Sequence, residues 1–123
     1  MKIFEADTLE KYTSILNNHD FIILHISASW CKPCAFIKDE LYNFIENYEK
    51  EEKEYIFLNL DFDVIDEDSS FEEYLLIKKI PYFACIQYKK IINDYHSSSV
   101  EEIKNFVYLN IKETKNFSFQ EDF

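Results

Sequence analysis

The stretch Ser29-Trp30-Cys31-Lys32-Pro33-Cys34 constrains this chain more than any other, because it sets two thiols between an apolar run and a helical pattern. Before it, Phe21-Ile22-Ile23-Leu24-His25-Ile26 has the β-branched and aromatic density of a strand buried on both faces. After it, Phe36, Ile37, Leu41, Phe44, Ile45 and Tyr48 recur at helical spacing, with Lys38, Asp39, Glu40, Asn43 and Glu46 between them. The two cysteines therefore stand at a helix N-terminus, where unpaired backbone N–H groups and the positive end of the helix dipole stabilise a thiolate. Pro33 suits that position, since the first helical turn does not need its missing N–H.

Cysteines three positions apart at a helix start can reach each other. Cys31 is expected to be the more exposed thiol and to attack, and Cys34, one turn in, to resolve. This is dithiol chemistry: a thiolate opens a disulfide, and the second thiol displaces the mixed disulfide.

Composition narrows the alternatives. A chain of 123 residues is one domain, able to bury roughly two thirds of its unfolded surface. It contains no glycine, which removes every Gly-rich phosphate cradle and dinucleotide-binding loop. Left-handed turn positions are then expected to fall to Asn, Asp or similar residues. A net charge of -11 argues against a nucleic-acid groove or an anionic membrane surface and favours a neutral or basic protein partner. Three cysteines do not make a disulfide framework, and Glu5, Asp7, Glu10 and Lys11 interrupt any leader-like apolar stretch. A reducing, cytoplasmic location is expected.

Taken in order, Lys2-Ile3-Phe4-Glu5 is a strand candidate. Asp7 with Glu10 has capping-box spacing ahead of a helix whose inner face is Leu9, Tyr12, Ile15 and Leu16. A charged run over 49–54 reads as a solvated helix end. Tyr55-Ile56-Phe57-Leu58-Asn59-Leu60 is a third strand, followed by an acidic connection over 61–68 that lacks the glycine and ligand spacing of a calcium loop. Ser69 or Ser70 opens a helix carrying Phe71, Tyr74, Leu75 and Ile77, which ends before Ile80-Pro81. Residues 82–88 and 91–95 read as a hairpin turning at Lys89-Lys90, without a primed-turn signal. Ser99 with Glu102 opens a last helix through Ile103, Phe106, Val107 and Ile111. The domain is expected over 1–115, with a C-terminal tail over 116–123.

This pattern resembles the thioredoxin family over nearly the whole chain. The resemblance rests on the cysteine pair together with Trp30 before it, Leu58-Asn59-Leu60-Asp61 in the third strand and Ile80-Pro81 ahead of the fourth. It implies an α/β thioredoxin fold, a central mixed five-stranded sheet flanked by four helices. It also implies a protein-disulfide oxidoreductase with no cofactor or metal, disulfide-containing protein substrates, and a thioredoxin reductase or other thiol reductant to regenerate it. In the family the proline at the Pro81 position is cis and faces the disulfide, which sets Pro81 with Cys31 and Cys34 in the catalytic group. Ile80 would offer its backbone to a substrate strand, and Trp30, Lys32, Pro33 and His96 would complete the substrate-facing rim.

The departures from the family pattern concern the same site. Lys32-Pro33 stands where the family usually has Gly-Pro, and a cation beside Cys31 should pull its pKa below the free value of about 8.5. His25 occupies the place of a buried Asp that helps deprotonate the second thiol. It is either a packed, hydrogen-bonded core residue or the catalytic base. The family also usually has a lysine near Phe57 and a glycine near His96, and loss of that glycine puts a side chain where substrate backbones would approach, so docking partners are expected to differ from those of a general thioredoxin. Cys85, in an apolar strand, reads as an inert buried thiol. A zinc site from Cys31, Cys34, His25 and His96 would need residues from separate strands and a helix start, and none is expected. Two functional classes fit: a protein-disulfide reductase, and a thioredoxin-like interaction module that works within an assembly.

Overall fold

A computed structural model describes residues 1–48, 54–67 and 79–120. Within them the elements follow as β1 (Ile3–Ala6), α1 (Leu9–Asn18), β2 (Phe21–Ser27), α2 (Lys32–Glu46), β3 (Ile56–Asp61), α3 (Phe62–Glu67), β4 (Tyr82–Gln87), β5 (Lys90–His96) and α4 (Val100–Gln120). The strands form one mixed sheet in the order β1-β3-β2-β4-β5. β3 runs parallel to both β1 and β2, and β4 is antiparallel to β2 and β5. This is the five-stranded α/β architecture that the sequence predicts.

Both faces of the sheet are covered, which is why β2 carries an unbroken apolar run rather than an alternating one. Ile22, Leu24 and Ile26 point to one side, where Tyr12 of α1 and Ile65 of α3 pack on them. Ile23 points to the other, against Ile37, Leu41 and Ile45 of α2 and Ile103, Val107 and Ile111 of α4. Each fully buried aliphatic side chain of this kind contributes about 1.5–3 kcal/mol. His25 follows Ile23 by two positions, so the period-2 pleat puts it on the α2 side and not against α1. That alternation decides which helix the histidine serves.

Several local expectations are corrected. The cap of α1 is Thr8, not Asp7: its Oγ1 accepts the Lys11 N–H at 3.1 Å, while Asp7 pairs with the Lys11 ammonium at 2.8 Å. A short helix, α3, replaces the front of the acidic connection, because Phe62 and Ile65 find apolar cover. The helix expected from Ser69 or Ser70 lies outside the described residues. The hairpin turns one residue earlier than expected, at Tyr88 and Lys89, whose φ values are 51° and 69°. With no glycine in the chain, the primed turn that suits twisted strands falls to two bulky residues instead of Asn or Asp. Tyr88 sets its ring edge-on to Phe21, 5.4 Å away. The last helix is capped by Ser99 as predicted but continues through Asn116 to Gln120, with no Pro or Gly to stop it.

Candidate active site

The β2–α2 junction brings the two motif cysteines together. Cys31 is the N-cap of α2, in an extended conformation, and its Sγ accepts the Cys34 backbone N–H at 3.2 Å. Cys31 and Cys34 are joined as a disulfide, with Cα atoms 5.3 Å apart. Lys32 and Pro33 are the first two helical residues, both exposed, so neither a lysine side chain nor a missing N–H disturbs the turn. The expectation that Cys31 is the more exposed thiol is not met in this disulfide form: the two residues are 5% and 4% exposed. What separates them is position. Cys31 receives a hydrogen bond at the helix end, and Cys34 faces a cleft inside the sheet.

The rim is built from three segments. Trp30 is 60% exposed, its Nε1 donating to Asp63 Oδ1 at 3.0 Å and its ring meeting Phe62 edge-on. Ile80 and Phe62 pack against the cluster formed by Ala28, Cys31 and Cys34. The Ile80–Pro81 peptide bond is cis, and Pro81 is buried where β4 begins. His96 ends β5 as the register partner of Tyr82, the residue after Pro81, and is exposed. The structure thus sets Trp30, Lys32 and Pro33 beside the disulfide at the start of α2 and packs Ile80 against it, while Pro81 stands at the start of β4 and His96 at the end of β5. Phe36, which the helical pattern assigned to the inner stripe, is 88% exposed, because Cys34, Ile37, Leu41 and Ile45 fill the buried face of α2.

Beneath the disulfide lies a polar cluster. Cys34 and His25 share the wall of a cleft of about 450 Å³ that Glu5, Lys38, Tyr42 and Asn59 also line. His25 is buried, and its ring stacks flat on Phe83 at 4.6 Å. Its Nδ1 lies 2.8 Å from Asn59 Oδ1, and its Nε2 is a buried nitrogen with no hydrogen-bond partner among the described residues. Burial pushes the imidazole pKa down to about 4, against a smaller upward pull from the Asn59 bond. The ring is therefore neutral throughout the physiological range. Of the two sequence readings, the packed and hydrogen-bonded one describes what the structure places here, and the ring also borders the cleft that Cys34 lines.

Cys85 is fully buried on β4, as expected, and burial raises its thiol pKa to about 11. It takes no part in the site. Among the described residues, no group of three or more His, Cys, Asp or Glu side chains is placed to hold a metal ion.

Sequence reasoning missed Glu5, Tyr42 and Asp63, and quoted Asn59 without a role. Asn59 carried a readable signal, being a polar residue inside the apolar run of β3 as His25 is inside β2. Glu5 and Tyr42 carried none, because only the strand register and the pitch of α2 bring them to Asn59.

The geometry agrees with comparisons to known proteins. The family model described as Thioredoxin matches residues 4–108. A search of curated protein sequences returns no match. Among solved structures, the reduced thioredoxin pre-protein of Schistosoma mansoni superposes with a TM-score of 0.71 at 21% identity, covering 92% of this chain and 98% of that one. Plasmodium falciparum thioredoxin gives a TM-score of 0.70 at 21% identity, covering 88% and 97%. A complex of ferredoxin:thioredoxin reductase with thioredoxin f2 contains a chain matched with a TM-score of 0.71 at 18% identity, covering 89% and 94%. These likenesses show the fold, while the family match and the joined cysteine pair support thiol–disulfide oxidoreductase chemistry. The chain belongs to the thioredoxin family.

Proposed function

We propose that this protein is a protein-disulfide reductase in which Cys31 attacks and Cys34 resolves. The observation that carries the reading is the hydrogen bond from the Cys34 N–H to Cys31 Sγ at the start of α2. In the reduced protein that donor, the helix dipole and the adjacent Lys32 ammonium all favour charge on Cys31 rather than on Cys34. The Cys31 thiolate forms a bond to one substrate sulfur, and the substrate disulfide breaks, releasing its other sulfur as a thiolate. Cys34 then loses its proton and bonds to Cys31 Sγ, which frees the first substrate sulfur. The substrate gains two electrons and the cysteine pair loses two. An external thiol reductant restores the dithiol, a role consistent with the reductase in the complex noted above.

His25 is the proton acceptor for Cys34 in this scheme. It shares the Cys34 cleft and is neutral at working pH. Ile80, Trp30 and His96 form the surface that receives the substrate chain, in a reducing, cytoplasmic setting.

Insulin-disulfide reduction with wild type, Cys31→Ser and Cys34→Ser tests the assignment. Cys34→Ser should accumulate mixed disulfides with substrate, and Cys31→Ser should not. Trapping by Cys31→Ser instead would reverse the roles. The exposed Phe36 and Trp30 beside the cysteines favour protein docking in either functional class. Partner binding that persists without turnover in all three proteins would identify an interaction module and not a reductase.

A further inference from the structure

The register of the sheet sets three polar side chains in a row. Glu5 of β1 is paired with Asn59 of β3, and Asn59 is paired with His25 of β2. Asn59 Nδ2 donates to Glu5 Oε1 at 3.1 Å and to Tyr42 Oη, so both amide hydrogens are engaged. Its Oδ1 faces His25 Nδ1 at 2.8 Å. A carboxylate oxygen only accepts, so Glu5 fixes which end of the Asn59 amide points toward it. The carbonyl end is left for His25, and a carbonyl also only accepts. Nδ1 must therefore carry the ring proton, and Nε2 must carry the lone pair.

We infer that Glu5 and Asn59 are positioning residues, which lock His25 in the tautomer whose bare Nε2 accepts the Cys34 proton. This rests on the proposal that Cys34 resolves the mixed disulfide. Nε2 is the buried nitrogen that has no partner among the described residues, as an acceptor held ready for an incoming proton should be. A half-turn of the ring would keep its stack on Phe83 but would set a carbon where Nδ1 now meets Asn59 Oδ1, so that hydrogen bond fixes which edge of the ring faces Asn59. During resolution the Cys34 S–H bond breaks and its proton passes to Nε2. Cys34 Sγ bonds to Cys31 Sγ, the bond from Cys31 to the substrate sulfur breaks, and the departing thiolate receives the proton from the imidazolium or from water. The charge that develops on the ring shares its cleft with Glu5 of β1, Asp7 just beyond it, Asp61 at the end of β3, and Lys38, Tyr42 and Cys34 on α2. From β4 Phe83 stacks on the ring, and from β3 Phe57 and Asn59 meet it.

Glu5 is exposed on an edge strand, so it can be changed without opening the core. Glu5→Gln keeps an accepting carbonyl opposite the Asn59 amide. Glu5→Lys offers only donors, which turns the amide over, presents its NH2 to Nδ1 and moves the ring proton to Nε2. Nitrogen NMR of the imidazole rings in the reduced, substrate-free protein reads the tautomer directly, with the His25 signals identified by their loss in His25→Gln. Wild type and Glu5→Gln should show a protonated Nδ1 and a bare Nε2, and Glu5→Lys the reverse. Single-turnover kinetics should then show resolution slowed at least about tenfold in Glu5→Lys, with the first attack by Cys31 unchanged and Glu5→Gln close to wild type. A wild-type ring protonated on Nε2, or a Glu5→Lys ring that keeps its proton on Nδ1, would overturn the inference. So would a reversed tautomer with unaltered resolution. The NMR reading needs no substrate, so it stands apart from whether the protein reduces disulfides at all.

Discussion

Acidification should destabilise this protein through His25, and the size of the effect follows from its burial. The imidazole pKa is about 4 in the folded chain against 6.5 for an unperturbed histidine. Between those values the unfolded chain binds more protons than the folded one, so stability rises with pH across the window. The contribution is fully present above about pH 6.5 and is lost as pH falls toward 4. At about 1.36 kcal/mol per unit, linkage puts the loss near 2 kcal/mol at about pH 5 and near 3 kcal/mol at about pH 4. That is a large share of the roughly 5–15 kcal/mol that holds a domain together. The perturbation is His25→Gln, which still offers Asn59 an amide donor but does not titrate. Urea unfolding of both proteins at about pH 7.5, 5 and 4 gives the change in stability with pH for each. Carboxylates elsewhere titrate in both proteins and cancel in the comparison, so wild type should lose about 3 kcal/mol more than the variant between the two extremes. Equal losses would mean that the ring is not desolvated in the folded state, and the argument for its neutrality at working pH would go with it.

Two further outcomes follow from other parts of the fold. Cys85, fully buried with its thiol pKa raised to about 11, should stay silent toward a thiol reagent in the reduced native protein and react only when the chain is unfolded. Reaction at the native-state rate of Cys31 would refute its inertness. Lys89→Gly should raise thermal stability by about 1 kcal/mol, a few degrees in midpoint, by relieving a left-handed lysine at φ 69°. A lower midpoint would show that the turn is not strained at this residue.

The main architecture was legible because its signals are local. An apolar run, a proline at a helix start and apolar residues at helical spacing placed β2 and α2, and with them both cysteines. Burial of Cys85 could be read from its neighbours in the same way. The polar row could not, since Glu5, Asn59 and His25 come from three strands and meet only through register, which the sequence leaves open when runs are uniformly apolar. Phe36 was misplaced for a related reason: the helical period admits it to the edge of the inner face, and only the position of α2 against β2 excludes it. The hairpin turn reads one residue too late in the sequence because Tyr88 and Lys89 contradict local preference. In a chain without glycine, the twist of two paired strands overrides that preference.

In the proposed scheme, an imidazole at position 25, where the resemblance to the family places a buried carboxyl, also changes the charge on the resolving step. A carboxylate that accepts a proton from a thiol becomes neutral, leaving one negative charge in the cleft on the new thiolate. A neutral imidazole becomes a cation, and the thiolate it creates sits beside it as an ion pair. In a low-dielectric site the second arrangement separates charge and then holds it at close range, so the base and the thiolate stabilise each other. At rest the ring carries no charge and does not raise the Cys34 pKa by repulsion, as a buried carboxylate would. Its depressed basicity is a property of the solitary ring. Once the thiolate forms next to it, the partner charge pulls its pKa back up, so the proton is held only for as long as Cys34 is ionised.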